Sequence, residues 1–289
     1  MADPHAPRSL IITLYGAYGR DGAGPGSGDG PLPVAALIRL LAAVGVDAPS
    51  VRSAVSRLKR RGLLEAARTP EGAAGYALSG DARQLLDDGD RRIYAGTRPR
   101  LADGWVLAVF SVPEAERAKR HVLRSRLARL GFGTAAPGVW IAPGSLYEET
   151  RHTLRRLQLA EYVELFRGDH LGFAATRDSV ARWWDLPEIA GLHHAFLERH
   201  EPVLRRWEAG AASDVPEPER AYRDYLLALD SWRRLPYTDP GLPAELLPQD
   251  WPGGRSAQVF AELHARLRDT GARFVRGVRD PTEPKAPFV

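Results

Sequence analysis

"SVRSAVSRLKRRG" spans residues 50–62, and its reading decides what the surrounding chain is. At a helical 100° per residue, Val51, Ala54, Val55 and Leu58 share one narrow face, and Arg52, Ser53, Ser56, Arg57 and Arg60 share the opposite one. Such a helix is either a solvated basic surface helix or one pressed against a small core with its outer face free to bind. The neighbours decide. Upstream, "LPVAALIRLLAAVG" (32–45) reads as a helix with Val34, Leu37, Leu40, Leu41 and Val44 inward, stopped by Gly45 in the left-handed conformation. Val46 buries in the turn, Asp47 caps the next helix, and Pro49 is tolerated in its first turn. Downstream, "LLEAARTPEGAAGYALS" (63–79) reads as a hairpin with strands near 63–68 and 74–79 and a Pro70/Gly72 tip.

Two helices joined by a tight turn, followed by a hairpin, make a winged helix-turn-helix pattern. In that pattern the second helix enters the major groove. Ser50, Arg52, Ser53, Ser56, Arg57 and Arg60 then face base edges and flanking phosphates, since an arginine fork spans guanine O6 and N7. Lys59 and Arg61 meet phosphates, and Arg68, near the wing tip, reaches the backbone or minor groove.

Working outward, "SLIITLYGAYG" (9–19) reads as a helix with Leu10, Leu14 and Ala17 on one stripe. The glycine-rich "RDGAGPGSGDGP" (20–31) reads as a surface loop. It lacks the Gly-Lys-Ser/Thr and the preceding strand of a phosphate-binding loop. "ARQLLDDGDRRIYAG" (82–96) closes the region as a helix anchored by Leu85, Leu86, Ile93 and Tyr94. The middle of the chain changes character. A buried strand (104–113), a helix (114–131) with Val122, Leu123, Leu127 and Leu130 inward, a strand–turn–strand (132–143), a helix (145–159) and a strand near 162–166 give the order β-α-β-β-α-β of a ferredoxin-like fold. From residue 179 the pattern is helical and aromatic, with helices over 179–184, 186–209, 217–234 and 255–274. The proline-rich segment 236–254 reads as an ordered cover, because Tyr237, Leu242, Leu246, Leu247 and Trp251 are too apolar to leave in water. The tail from residue 280 reads as frayed.

The fold class expected is therefore α+β and multidomain, with boundaries at 1–98, 99–178 and 179–289. The chain has 289 residues and no cysteine, which excludes disulfides and thiolate chemistry. Formal net charge is +4, and residues 1–100 carry 14 Lys/Arg against 10 Asp/Glu, so the basic excess sits at the N-terminal end. No stretch approaches the ~20 apolar residues of a membrane helix. "MADPHAPRSL" lacks the pattern of a signal peptide, so a cytoplasmic protein is expected.

The segments "SLIITLYGAYG", "SVRSAVSRLKRRGLL", "DRRIYAG", "LGFGTAAPGVWIAP" and "AYRDYLLALDSWRRLPYTDPGLPAELLPQDWPG" together resemble the PaaX family of transcriptional repressors of aromatic catabolism. The resemblance runs collinearly from about residue 9 to 275. It implies a winged helix, a Cas2-like ferredoxin-fold centre that forms the dimer, and a helical C-terminal effector domain. It also implies homodimers on palindromic operators, released by an aryl-CoA thioester such as phenylacetyl-CoA, with no cofactor and no resident metal. The 20–31 loop is longer than such proteins lead one to expect between their first two helices.

The rival reading is an enzyme, either a Cas2-like metal-dependent nuclease or an acyl-CoA-binding enzyme. Against the nuclease, Ser111 stands where the metal-binding acid would follow the first strand, and Glu114 is the nearest carboxylate. No serine sits in Gly-x-Ser-x-Gly and no nucleophile–base pair is apparent. His193, His194 and His200 lack the spacing and partners of a zinc site. For an acyl-CoA effector, "SWRRLPY" sets Trp232 and Tyr237 beside Arg233 and Arg234. This offers an apolar slot plus phosphate-binding cations, with His193 and His194 as further candidates.

Overall fold

The computed structural model describes residues 5–20, 30–69, 72–94, 99–210 and 214–279. Most of the glycine-rich loop (21–29), the hairpin-tip residue Pro70 and the tail from 280 lie outside the described residues. In chain order the elements are α1 (Pro7–Tyr18), β1 (Leu32–Pro33), α2 (Val34–Ala42), α3 (Ala48–Arg60), β2 (Leu64–Arg68), β3 (Ala74–Leu78) and α4 (Gly80–Ile93). They continue as β4 (Trp105–Phe110), α5 (Arg117–Arg129), β5 (Gly133–Ala136), β6 (Val139–Pro143), α6 (Tyr147–Arg156), β7 (Val163–Gly168) and α7 (Thr176–Trp183). The chain closes with α8 (Leu186–Glu208), α9 (Glu217–Trp232) and α10 (Gly253–Arg279).

The chain packs as two compact units. One holds residues 1–93, 196–233 and 255–289, and the other holds residues 94–195 and 234–254. A three-part division along the sequence and a two-part division in space coexist because the C-terminal helices fold back onto the N-terminal segment.

In the first unit α1 is the pivot. The sequence pattern gives it one apolar stripe, but Leu10, Ile11, Thr13, Leu14, Tyr15, Ala17 and Tyr18 are all buried. The reason is that α1 packs on α3 and also on α9, so two faces are covered. Tyr222 of α9 donates to the Leu40 carbonyl of α2 at 3.1 Å, and Tyr15 donates to the Tyr76 carbonyl of β3 at 2.5 Å. α10 approaches closely at Gly271, where a Cβ would stand 2.7 Å from the Tyr18 hydroxyl and 2.8 Å from the Tyr222 Cα.

Three expectations need correction here. Leu32 and Pro33 are not the first turn of a helix; they pair with Tyr76 and Gly75, making a three-stranded antiparallel sheet in the order β1-β3-β2. Pro33 has no amide to donate and suits this edge. Val34 and Val44 are only half-buried, and Ala36 joins Leu37, Leu40 and Leu41 inside. Leu85 and Tyr94 do not anchor α4: they are 51% and 40% exposed, while Ala82 and Gly89 are its buried positions.

In the second unit, β4, α5, β5, β6, α6 and β7 form a four-stranded antiparallel sheet in the order β5-β6-β4-β7. Alternation along β4 sends Val106 and Ala108 to one face, where Leu123, Leu127 and Leu130 of the α5 segment and Leu154 of α6 complete a core. Val122, expected inward, is exposed, because the buried stripe passes through Leu123 and Leu127 instead. Trp105 of β4 and Ile141 of β6 face the other way and pack with Val180, Trp184, Leu186 and Ile189. Leu242, Leu246 and Leu247 from the proline-rich segment join them, so that segment is an ordered cover.

Candidate nucleic-acid interface

Helix α3 is held at its start by caps and along its length by one apolar stripe. Gly45 adopts φ +81°, which permits the Val46 amide to reach the Leu41 carbonyl at 3.0 Å and the Gly45 amide to reach Ala42 at 2.9 Å. The Asp47 carboxylate then accepts the Ser50 amide at 2.7 Å. That bond holds the Asp47 carboxyl below the usual carboxylate range, as expected for a charge on an N-terminal amide. Val51, Ala54, Val55 and Leu58 are buried. A buried Val or Leu side chain contributes roughly 1.5–3 kcal/mol, enough to fix the rotation of the helix.

That rotation leaves Arg52, Ser53, Ser56, Arg57, Lys59, Arg60 and Arg61 exposed, with Ser50 half-buried at the cap. Among the described residues, Arg52, Arg57, Lys59, Arg60 and Arg61 form no ion pair, and α3 itself contains no acid. Four cations of α3 and Arg61 at its C-cap are thus presented on one side without internal neutralisation. The β2–β3 hairpin follows directly. Arg68 is exposed near its tip and donates to the Gly72 carbonyl at 2.8 Å. Thr69 and Ala73 close the turn with a 2.9 Å backbone bond.

The residues considered for an effector are divided. Trp232 and Arg233 belong to the first unit; His193, His194, Arg234 and Tyr237 belong to the second. Trp232 is buried, stacks on Phe260 with ring centroids 4.9 Å apart, and donates its indole N–H to the Ile93 carbonyl at 2.9 Å. Arg233 donates to the Thr13 hydroxyl at 3.0 Å. His193 is buried and 2.9 Å from Asp239, whereas its neighbour His194 is exposed, so the two point apart. Arg234 and Tyr237 are half-buried. His200 lies 2.9 Å from the Ser231 hydroxyl, and burial pushes its pKa down to about 3, helped by the charges of His5 and Arg199. It is neutral at ordinary pH.

For the nuclease reading, Ser111 is exposed at the end of β4, and Glu114 lies 3.3 Å from Arg120. Among the described residues no group of three or more His, Asp or Glu could hold a metal.

Sequence reasoning missed one buried polar cluster. Asp230 of α9 is fully buried and accepts from the Ser9 hydroxyl at 2.6 Å and the Thr13 hydroxyl at 2.7 Å, with His5 Nδ1 at 3.3 Å. Burial alone would raise its pKa. The bonds from His5, Ser9 and Thr13, with the nearby Arg233 charge, outweigh that and hold it below the usual carboxylate range. The available signal was an acid in the middle of the otherwise apolar "YLLALDSW".

Comparison with known proteins matches three successive segments of the chain. Residues 6–82 match the PaaX-like protein family, residues 98–180 the PaaX protein central Cas2-like domain, and residues 184–277 the PaaX-like protein C-terminal domain. The chain belongs to the PaaX family. Within that family it is similar to the transcriptional repressor PaaX of Escherichia coli strain K12, with 27% identity over 277 residues covering 95% of this chain and 84% of that one. Its fold resembles the uncharacterized protein Rv0674 from Mycobacterium tuberculosis at a TM-score of 0.59 and 23% identity, covering 97% and 99% of the two chains. The four-stranded unit is therefore a PaaX-type Cas2-like domain, and the helices after it form the PaaX-type C-terminal region. Among the described residues no helix is long and apolar enough to cross a membrane.

Proposed function

We propose that this chain is a cytoplasmic DNA-binding transcriptional repressor of PaaX type, not an enzyme, and that α2, α3 and the β2–β3 hairpin act as a winged helix-turn-helix. The observation that carries the reading is the exposed face of α3 and its C-cap Arg61, five cations that form no ion pair among the described residues, on a capped helix whose other face is buried. Set in the major groove, that face would direct Arg52, Ser53, Ser56, Arg57 and Arg60 at base edges. Lys59 and Arg61 would meet phosphates, Ser50 would sit at the helix start, and Arg68 would bring the hairpin to the backbone. The Cas2-like domain would hold two copies together so that paired α3 helices meet palindromic half-sites about one DNA turn apart.

Release by an aryl-CoA thioester such as phenylacetyl-CoA completes the reading. The thioester is an effector, and no cofactor is required. Support comes from the packing of α9 on α1 and of α1 on α3 within one unit, a short mechanical route between C-terminal helices and the reading helix. A ligand that binds one arrangement of these helices better than the other shifts the population between them. Of the six candidate residues, His194 is exposed and Arg233, Arg234 and Tyr237 keep part of their surface, whereas Trp232 and His193 are buried in internal contacts. Footprinting of selected operator DNA with and without phenylacetyl-CoA tests the whole reading. Protection that disappears on adding the thioester supports it. No protection in either condition overturns it, and protection indifferent to the thioester overturns the effector alone.

A further inference from the structure

The second unit carries a basic surface that operator reading by α3 does not use. Helix α5, "RAKRHVLRSRLAR", has six cations and no acid in 13 residues. Its buried side is Leu123 and Leu127, packed with Leu154 of α6 on one face of the sheet. The other side of this two-helix layer exposes Arg117, Arg124 and Arg129 from α5 and Arg155 from α6. Among the described residues none of these four forms an ion pair. The acids nearby are already engaged: Glu116 with Lys119 at 2.7 Å, Glu114 with Arg120 at 3.3 Å and Glu148 with Arg151 at 2.7 Å.

Arginine-rich composition alone does not produce this. In α10 the six arginines alternate with Glu262 and Asp269, and Arg255 is bound to Glu201 at 2.6 Å. In α5 Lys119 and Arg120 are paired, but Arg117, Arg124 and Arg129 form no ion pair among the described residues, and Arg117 occupies the first helical position, where the helix dipole disfavours a positive charge. A surface that keeps such a charge uncompensated suits an external polyanion. Arg117 and Arg124 are seven residues apart, about 10 Å along the axis, which matches roughly three base steps of a duplex strand. Arginine without base-edge geometry serves phosphate contact, not sequence reading.

We infer that the outer layer of α5 and α6 is a second, sequence-independent contact surface for the phosphate backbone of duplex DNA. This rests on the DNA-binding reading above, and the test separates the two. The full chain and an Arg117→Ala/Arg124→Ala/Arg129→Ala/Arg155→Ala variant are titrated with operator and scrambled duplexes over a range of salt. The variant loses affinity for both duplexes by a similar factor, on the order of tenfold or more at low salt, and its log affinity against log salt flattens by about 0.9 per lost contact. The corresponding Arg→Lys variant keeps the slope. If the quadruple variant melts early, the single variants Arg124→Ala and Arg129→Ala are read instead, each flattening the slope by about one contact's worth. Wild-type binding to operator with an unchanged slope in the variants overturns this inference and leaves the operator reading standing. Absence of wild-type duplex binding overturns both. Loss of RNA binding alone, with duplex DNA binding intact, overturns it in favour of an RNA partner.

Discussion

Thr13 and Asp230 lie 217 residues apart in sequence and are joined by a 2.7 Å hydrogen bond inside the protein. Ser9, one turn earlier on α1, donates to the same carboxylate oxygen at 2.6 Å. The bonds fasten the N-terminal helix to α9, and α1 also packs on α3, so α3 and the C-terminal region share one framework. Asp230→Ala would remove the carboxylate that accepts from the Ser9 and Thr13 hydroxyls and whose charge lies near Arg233. It should cost about 3 kcal/mol in urea unfolding, whereas Asp230→Asn, which keeps one oxygen, should cost less.

Stability should fall with acid through His200. Its folded pKa is about 3 against an ordinary 6.5, so the unfolded chain binds the proton first. The contribution is intact above pH ~6.5 and is lost progressively as pH falls toward ~3. Asp230 acts with the same sign at lower pH: its depressed pKa gives stability above the usual carboxylate range that is lost as pH drops through the folded value. Urea midpoints measured from pH 7 to 4 should decline in the wild type and decline less steeply in His200→Gln.

Close packing of α10 predicts intolerance at Gly271. A methyl group there would meet the Tyr222 backbone at 2.8 Å, and backbone cannot swing aside. Gly271→Ala should lower stability by roughly 1–3 kcal/mol, although alanine is the better helix former. Thermal unfolding checks this, with the open Gly277 as a control where Ala should be neutral or stabilising.

The turn before α3 should be separable from its exposed basic side. Asp47→Ala removes the bond to the Ser50 amide and should cost about 1 kcal/mol of stability. Gly45→Ala forces a Cβ into φ +81° and should cost a similar ~1 kcal/mol. Both should lower the melting temperature, in contrast to substitutions on the exposed arginines.

What was legible in the sequence is what local chemistry determines. The stripe Val51, Ala54, Val55 and Leu58, the Gly45 stop and the Asp47 cap all depend on neighbours within a few residues, and the structure has each of them. Long-range pairing was not legible. Leu32 and Pro33 look like a helix start until β3, some forty residues later, offers them a strand partner. Leu85, Tyr94 and Val122 look like inward positions on hydrophobicity alone, but in the fold they are exposed. Ser9, Thr13 and Asp230 have the residue types of a surface and are buried only because they satisfy one another. The histidines show the same limit: adjacency in sequence set His193 beside His194, and helix geometry turned one in and one out.

The central claim is that the exposed face of α3 reads DNA, and one comparison addresses it most directly. Duplexes selected from a random library by the wild-type chain are titrated against wild type and the Arg57→Ala/Arg60→Ala variant, with thermal unfolding of both proteins recorded. Neither arginine forms an ion pair among the described residues, so the melting temperature should not change. Loss of two groove contacts at about 1–3 kcal/mol each predicts operator affinity down by tenfold or more and discrimination against scrambled duplex reduced. Operator binding with unchanged affinity and unchanged discrimination in a variant that folds normally would contradict the account.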